Sequence, residues 1–168
     1  PNGLEHLNDQ IEESFVVKLS SGEDVLKIVA AFAHGMRDFF PAFQDESALR
    51  LSISIASVKH PFFDHWDYLK APRDAVNIQI PARAVRLEMK LNRFVKLRDG
   101  MQVQDKQVSR LLHTLAEIEA RSGSNILVQA RLMEDAARVP AIAQLVRQDK
   151  FSARAILDYY KLVTLRGG

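Results

Sequence analysis

The period of the apolar residues changes once along this chain, and that change limits the fold more than any other feature. Leu49, Leu51, Ile53 and Ile55 occupy every second position, as do Val76, Ile78 and Ile80. A period of two puts those side chains on one face of a strand. From Asp105 the spacing becomes three and four, with Val108, Leu111, Leu112, Leu115 and Ile118 on one helical stripe. The fold class this predicts is α+β. An antiparallel or mixed sheet with at least one packed helix fills residues 1–104, and a C-terminal helical subdomain fills residues 105–168.

Within the first stretch, Phe15-Val16-Val17-Lys18-Leu19 is β-rich and reads as a short strand closed by Ser20-Ser21-Gly22. Glu23 to Phe40 reads as a helix with Val25, Ile28, Val29, Phe32 and Met36 on one face. An aromatic-rich connector, His60 to Leu69, suits a short helix after Pro61. The segment from Ala84 to Leu97 has apolar residues at 85, 87, 89, 91, 95 and 97, all odd, and reads as a long strand. Asp99-Gly100 then reads as a hairpin turn into Met101-Gln102-Val103. In the second stretch Asp105 and Gly123 are expected to cap the first helix. Further helices are expected over Ile126–Arg138, Ala141–Asp149 and Ala153–Val163, the last capped by Ser152.

At 168 residues and 19.0 kDa the chain is long enough to bury a core without cross-links. It has no cysteine, which excludes disulfides, thiolate metal sites and thiol catalysis. No run reaches the ~18 apolar residues of a membrane helix, and Pro1–Glu5 does not open like a signal peptide. A cytoplasmic protein without a membrane partner is expected.

The net charge of +2 conceals an asymmetry. Residues 1–80 carry 7 Lys and Arg against 12 Asp and Glu, whereas residues 81–168 carry 16 against 9. A basic half supplies an attractive field for a polyanion, or for an acidic protein surface. If residues 84–97 form one strand, Arg86, Lys90, Lys96 and Arg98 share its even face. Cations two residues apart, about 6–7 Å, can follow a phosphate backbone. The same pattern also suits an ordinary solvated sheet face. These four are the candidate nucleic-acid-binding residues, positioning RNA or DNA rather than reading bases, because no base-reading pattern accompanies them and Phe94 is the only aromatic on the segment.

Other chemistry finds little support. Phosphate loops, dinucleotide loops, nucleophile elbows and zinc-protease motifs are all missing. His60, His65, Asp64 and Asp67 could ligate a metal, but without the helical His-x-x-x-His spacing. Glu12 and Glu13 are paired carboxylates that could hold Mg²⁺ and equally suit an exposed turn. No metal, cofactor or catalytic residue is assigned.

Ile11-Glu12-Glu13-Ser14-Phe15, followed by a helix and then Ser52-Ile53-Ser54-Ile55-Ala56 and Lys59-His60-Pro61, resembles the palm of GGDEF-type nucleotide cyclases. The variant found in the large subunit of type III CRISPR effector complexes is the most similar, with a strand like Asp74–Ile78 and a C-terminal helical domain like residues 105–166. Both motif glycines are replaced here, by Ile11 and Glu12, so the resemblance implies a truncated, catalytically inactive palm kept for assembly. The function expected is a non-enzymatic subunit or domain of a larger, ribonucleoprotein assembly, with RNA or DNA and other protein subunits as partners. The alternative is a protein–protein interaction or regulatory domain that docks through its C-terminal helices or through Phe62–Trp66.

Overall fold

A computed structural model of the chain describes residues 15–39, 49–57, 59–70, 74–101, 106–123, 125–135 and 139–166. The architecture is α+β. Helix α1 (Gly22–Phe39) is followed by strand β1 (Leu51–Ser54), helix α2 (Phe62–Lys70), strand β2 (Val76–Ile80), a 3-10 turn (Pro81–Arg83) and strand β3 (Val85–Met89). A run of five helices completes it: α3 (Leu91–Gly100), α4 (Lys106–Ser122), α5 (Asn125–Asp135), α6 (Pro140–Arg147) and α7 (Ala153–Val163). The sheet is mixed, in the order β1-β2-β3. The first pair is parallel, with Ile53 opposite Ile78, and the second antiparallel, with Ile78 opposite Leu87.

The alternation seen in the sequence decides which sheet face is covered. Val76, Ile78, Ile80, Val85, Leu87 and Met89 are buried and join one core with residues from α1, α3, α4, α5, α6 and α7. Helix α7 is the central element of that core, packing on β3, α4 and α1. It also clasps the β2–β3 turn, where Arg83 donates to the Lys161 carbonyl (3.1 Å) and Lys161 donates to the Arg83 carbonyl (3.3 Å). The opposite sheet face is polar. There Asn77, almost fully buried, donates to the Leu51 carbonyl (3.4 Å) and accepts from the Asp74 backbone N–H (3.0 Å), which satisfies its amide.

Local signals set several boundaries as expected. Ser21 accepts from the Glu23 N–H (3.2 Å) while Asp24 reaches back to the Ser20 and Ser21 N–H groups (2.7 and 3.2 Å), a capping box at the start of α1. Those two backbone hydrogen bonds hold the Asp24 carboxyl below its ordinary pKa. Ser152 caps α7 by accepting from the Ala155 N–H (3.1 Å). Gly123 closes α4 at φ +59°, in the left-handed region. Asp105 lies outside the described residues, as does Glu12-Glu13.

Two expectations are corrected. The strand expected over 84–97 ends at Met89, and Leu91–Gly100 is a helix. Past Met89 the residues that reach the core are Phe94, Leu97 and Met101, spaced three and four apart. Burying those three requires a helical turn, because on a strand Phe94 would lie on the opposite face from Leu97. Asp99 and Gly100 therefore end a helix and make no hairpin. The strand expected over Phe15–Leu19 does not form either: the segment has no strand partner among the described residues.

Tyr159 of α7 meets Phe94 of α3 edge to face, with ring centroids 5.8 Å apart. Burial pushes its phenol up to about 12 from 10.0. A raised native pKa means that the folded state holds its proton where the unfolded state has lost it. The phenol's contribution to stability is thus complete below pH 10 and is lost as the pH rises toward 12. We expect urea-unfolding free energies to decline across that window in the wild type and to decline less in Tyr159→Phe.

Candidate nucleic-acid interface

Because residues 84–97 are part strand and part helix, the four cations chosen from the sequence do not form one ladder. Arg86 remains on β3, where its guanidinium donates to Glu88 (2.6 Å) and lies over the Tyr68 ring, 5.6 Å from its centroid. The hydrogen bond to Glu88, and then its charge, raises the Arg86 pKa above the ordinary value. Lys90 is the exposed, extended residue that precedes α3. Lys96 and Arg98 both lie on α3, but two helical positions separate their directions by about 200°. Arg98 pairs with Asp99 (2.8 Å), and Lys96 faces Asp149 at 3.9 Å.

The helix instead assembles a different group. Arg93, one turn before Lys96, donates to the Lys150 carbonyl (3.2 Å) and lies over the ring of Phe151, 4.3 Å from its centroid. Lys96 is drawn to the same α6–α7 loop by Asp149. Arg93 and Lys96 thus both meet the α6–α7 loop, at the Lys150 carbonyl and the Asp149 carboxylate, and Lys90 stands at the head of the same helix. Phe151 fixes the loop from below: it is buried, and its N–H donates to the Leu145 carbonyl (3.0 Å). That bond ties the chain back onto the end of α6, with Lys150 in the left-handed region, φ 56°. Glycine is the usual residue there, and a lysine costs about 1 kcal/mol of backbone strain.

Arg93 and Lys150 were missed from the sequence, although Arg93 did leave a signal. It is the one odd position between 85 and 97 that is not apolar, so the alternation already failed there. Lys150 had no local signal, since its importance depends on the loop meeting α3.

An open groove of about 480 Å³ lies between β3 and α7, lined by Arg86, Glu88, Ser152, Arg154 and Asp158 among others. It does not offer a free helix N-terminus to an anion. The Glu119 carboxylate already accepts from the Ala153 and Arg154 N–H groups (3.2 and 3.0 Å), and Ser152 takes that of Ala155. On the polar sheet face, Ser54 contacts His65 Nδ1 (2.5 Å) and accepts from the Gln79 amide (2.7 Å). His60 meets the His65 ring edge-on at 5.0 Å and approaches Asp64 at 3.4 Å. Among the described residues no group of three or more His, Asp or Glu side chains is placed to hold a metal ion. Nor is any helix among them long and apolar enough to cross a membrane. In comparisons with known proteins, the chain matches no family model, no curated protein and no solved structure.

Proposed function

We propose that the chain is a non-enzymatic subunit or domain of a larger, ribonucleoprotein assembly, and that it contacts nucleic-acid backbone through Lys90, Arg93, Lys96 and Lys150. The observation that carries this reading is that Arg93 and Lys96 of α3 meet the loop that bears Lys150, which brings three basic residues to one place where Lys96 faces Asp149. Exposed cations in excess of their counter-charges are what phosphate oxygens neutralise. The strained backbone at Lys150 supports the same reading, because a lysine held where glycine is more comfortable suggests a use for its side chain. Arg86 and Arg98, each beside its own carboxylate, are secondary contacts. The likeness to an inactive cyclase palm is compatible with this role in assembly.

Two substitutions separate function from stability. Lys96→Glu with Lys150→Glu should abolish binding to RNA or DNA in a gel-shift experiment and leave the far-UV spectrum unchanged. Lys150→Gly should weaken binding several-fold while raising stability by about 0.5–1 kcal/mol, because the strain is relieved. Binding unaltered in both variants would remove the patch from consideration.

A second reading, a protein interface, rests on helix α5. Its Ile126, Leu127 and Met133 are 76, 53 and 71% exposed, although Val128 and Leu132 of the same helix are fully buried. If this face were the functional one, Ile126→Ser with Met133→Ser would disrupt complex formation without touching nucleic-acid affinity.

A further inference from the structure

Phe15-Val16-Val17-Lys18-Leu19 is a sequence made for a sheet, yet it pairs with no strand among the described residues. Phe15 is 80% exposed, Val16 92% and Val17 59%, so the strongest β-formers at this end of the chain face water. The end of the segment is anchored: Ser21 bridges to Arg166, and the Gly22 N–H donates to the Leu165 carbonyl at 3.0 Å. The exposed residues extend from a fixed base.

Among the described residues the sheet also has an unpaired edge of matching character. Strand β1 is the outermost in the order β1-β2-β3. The Leu51 and Ile55 N–H groups donate inward, to the Ala75 and Gln79 carbonyls (2.8 and 2.9 Å). Alternation then directs the Ser52 and Ser54 N–H groups outward, and neither has a backbone partner among the described residues. Leu51, Ile53 and Ile55 are only partly buried, unlike their counterparts on β2 and β3. Among the described residues the apolar sheet face is therefore incompletely covered at this edge. An added strand with Phe15, Val17 and Leu19 on that side would extend it, while Val16 and Lys18 would join the serine side.

We propose that Phe15–Leu19 is an exchange strand, and that it adds to the β1 edge of a second copy of this chain. Each copy carries both a donor strand and an acceptor edge, so two copies satisfy each other reciprocally and the contact closes. Two such additions remove on the order of 1,000 Å² from water, near the threshold for a specific interface. Main-chain hydrogen bonds supply affinity, and the alternating side chains set the register.

Light scattering coupled to size exclusion, run on the full chain over a wide range of concentration, tests this. The expected result is a mass that doubles as concentration rises. Val16→Lys with Phe15→Ser should hold the chain as a monomer at every concentration, with the melting temperature of the dilute wild type, since these side chains contribute little to the monomer. Ser52→Pro should have the same effect from the acceptor side, because it removes an outward N–H and places proline where an edge strand tolerates it. A wild type that stays monomeric overturns the proposal, as does a dimer that persists in both variants.

Discussion

Replacing Gly22 with alanine is expected to destabilise the protein by about 3 kcal/mol or more, a large effect for one methyl group. Gly22 is the first residue of α1 and is buried against the end of α7. A Cβ there would lie 1.9 Å from the Leu162 carbonyl oxygen and 2.9 Å from its carbon. The obstacle is backbone, so no rotamer change relieves it. The two helices would have to separate, which strains the Gly22–Leu165 hydrogen bond (3.0 Å) and uncovers Val25. Gly35 is the natural control, because it lies in the same helix with nothing within 4 Å of its added Cβ. Gly35→Ala should stabilise by roughly 0.8 kcal/mol through helix propensity alone. Urea denaturation of the two variants should therefore move the midpoint in opposite directions. Similar midpoints would mean that α1 does not pack on α7 as described.

The second large effect is expected at Asp158, which is 1% exposed in the middle of α7. Its carboxylate accepts from the Arg86 backbone N–H (3.2 Å) and from the Arg154 guanidinium (3.1 Å). Arg154 in turn donates to the Ala84 carbonyl, so one ion pair joins the helix to strand β3 and its turn. Asp158→Ala leaves an N–H on the strand edge without its partner and should cost about 3 kcal/mol. Arg154→Ala leaves a buried carboxylate unpaired. The arginine side chain is 53% exposed, so water can replace part of it, and about 2 kcal/mol is a fair expectation. The double variant should lose at least about 1 kcal/mol less than the sum, because each single change already breaks the shared contact. Strict additivity in a double-mutant cycle would show that the pair is not coupled.

Much of the fold could be read from the sequence, for reasons that particular residues make plain. Ser21 with Asp24, Ser152 and Gly123 act within a turn of their own position, so the ends they set are visible locally. The alternation at Leu51–Ile55 and Val76–Ile80 survives because one sheet face is buried and the other polar. Residues 91–97 failed the same test, since Leu91, Val95 and Leu97 fall on odd positions in a helix as readily as in a strand. Phe94, with the polar Arg93 beside it, distinguished the two, and only burial shows that Phe94 belongs to the core. The candidate site was less legible. Lys90 and Lys96 were within reach of sequence reasoning, but their neighbours Arg93 and Lys150 are 57 positions apart and meet only because α6 ends beside α3. Phe15–Leu19 shows the converse limit: its β-propensity is real, and no strand among the described residues pairs with it.

The most direct test of the nucleic-acid proposal is a fluorescence-anisotropy titration with single-stranded RNA and with duplex DNA of matched length, repeated across salt. If all four cations of the α3 patch engage phosphates on a single strand, the log–log slope should be about −2.8, or roughly a 50-fold loss between 50 and 200 mM salt. We expect that slope for the wild type and a shallower one, by about 0.7 per cation removed, for Lys96→Ala and Lys150→Ala. Absence of binding at low salt, or a slope that these substitutions leave unchanged, would contradict the assignment and turn attention to the exposed face of α5.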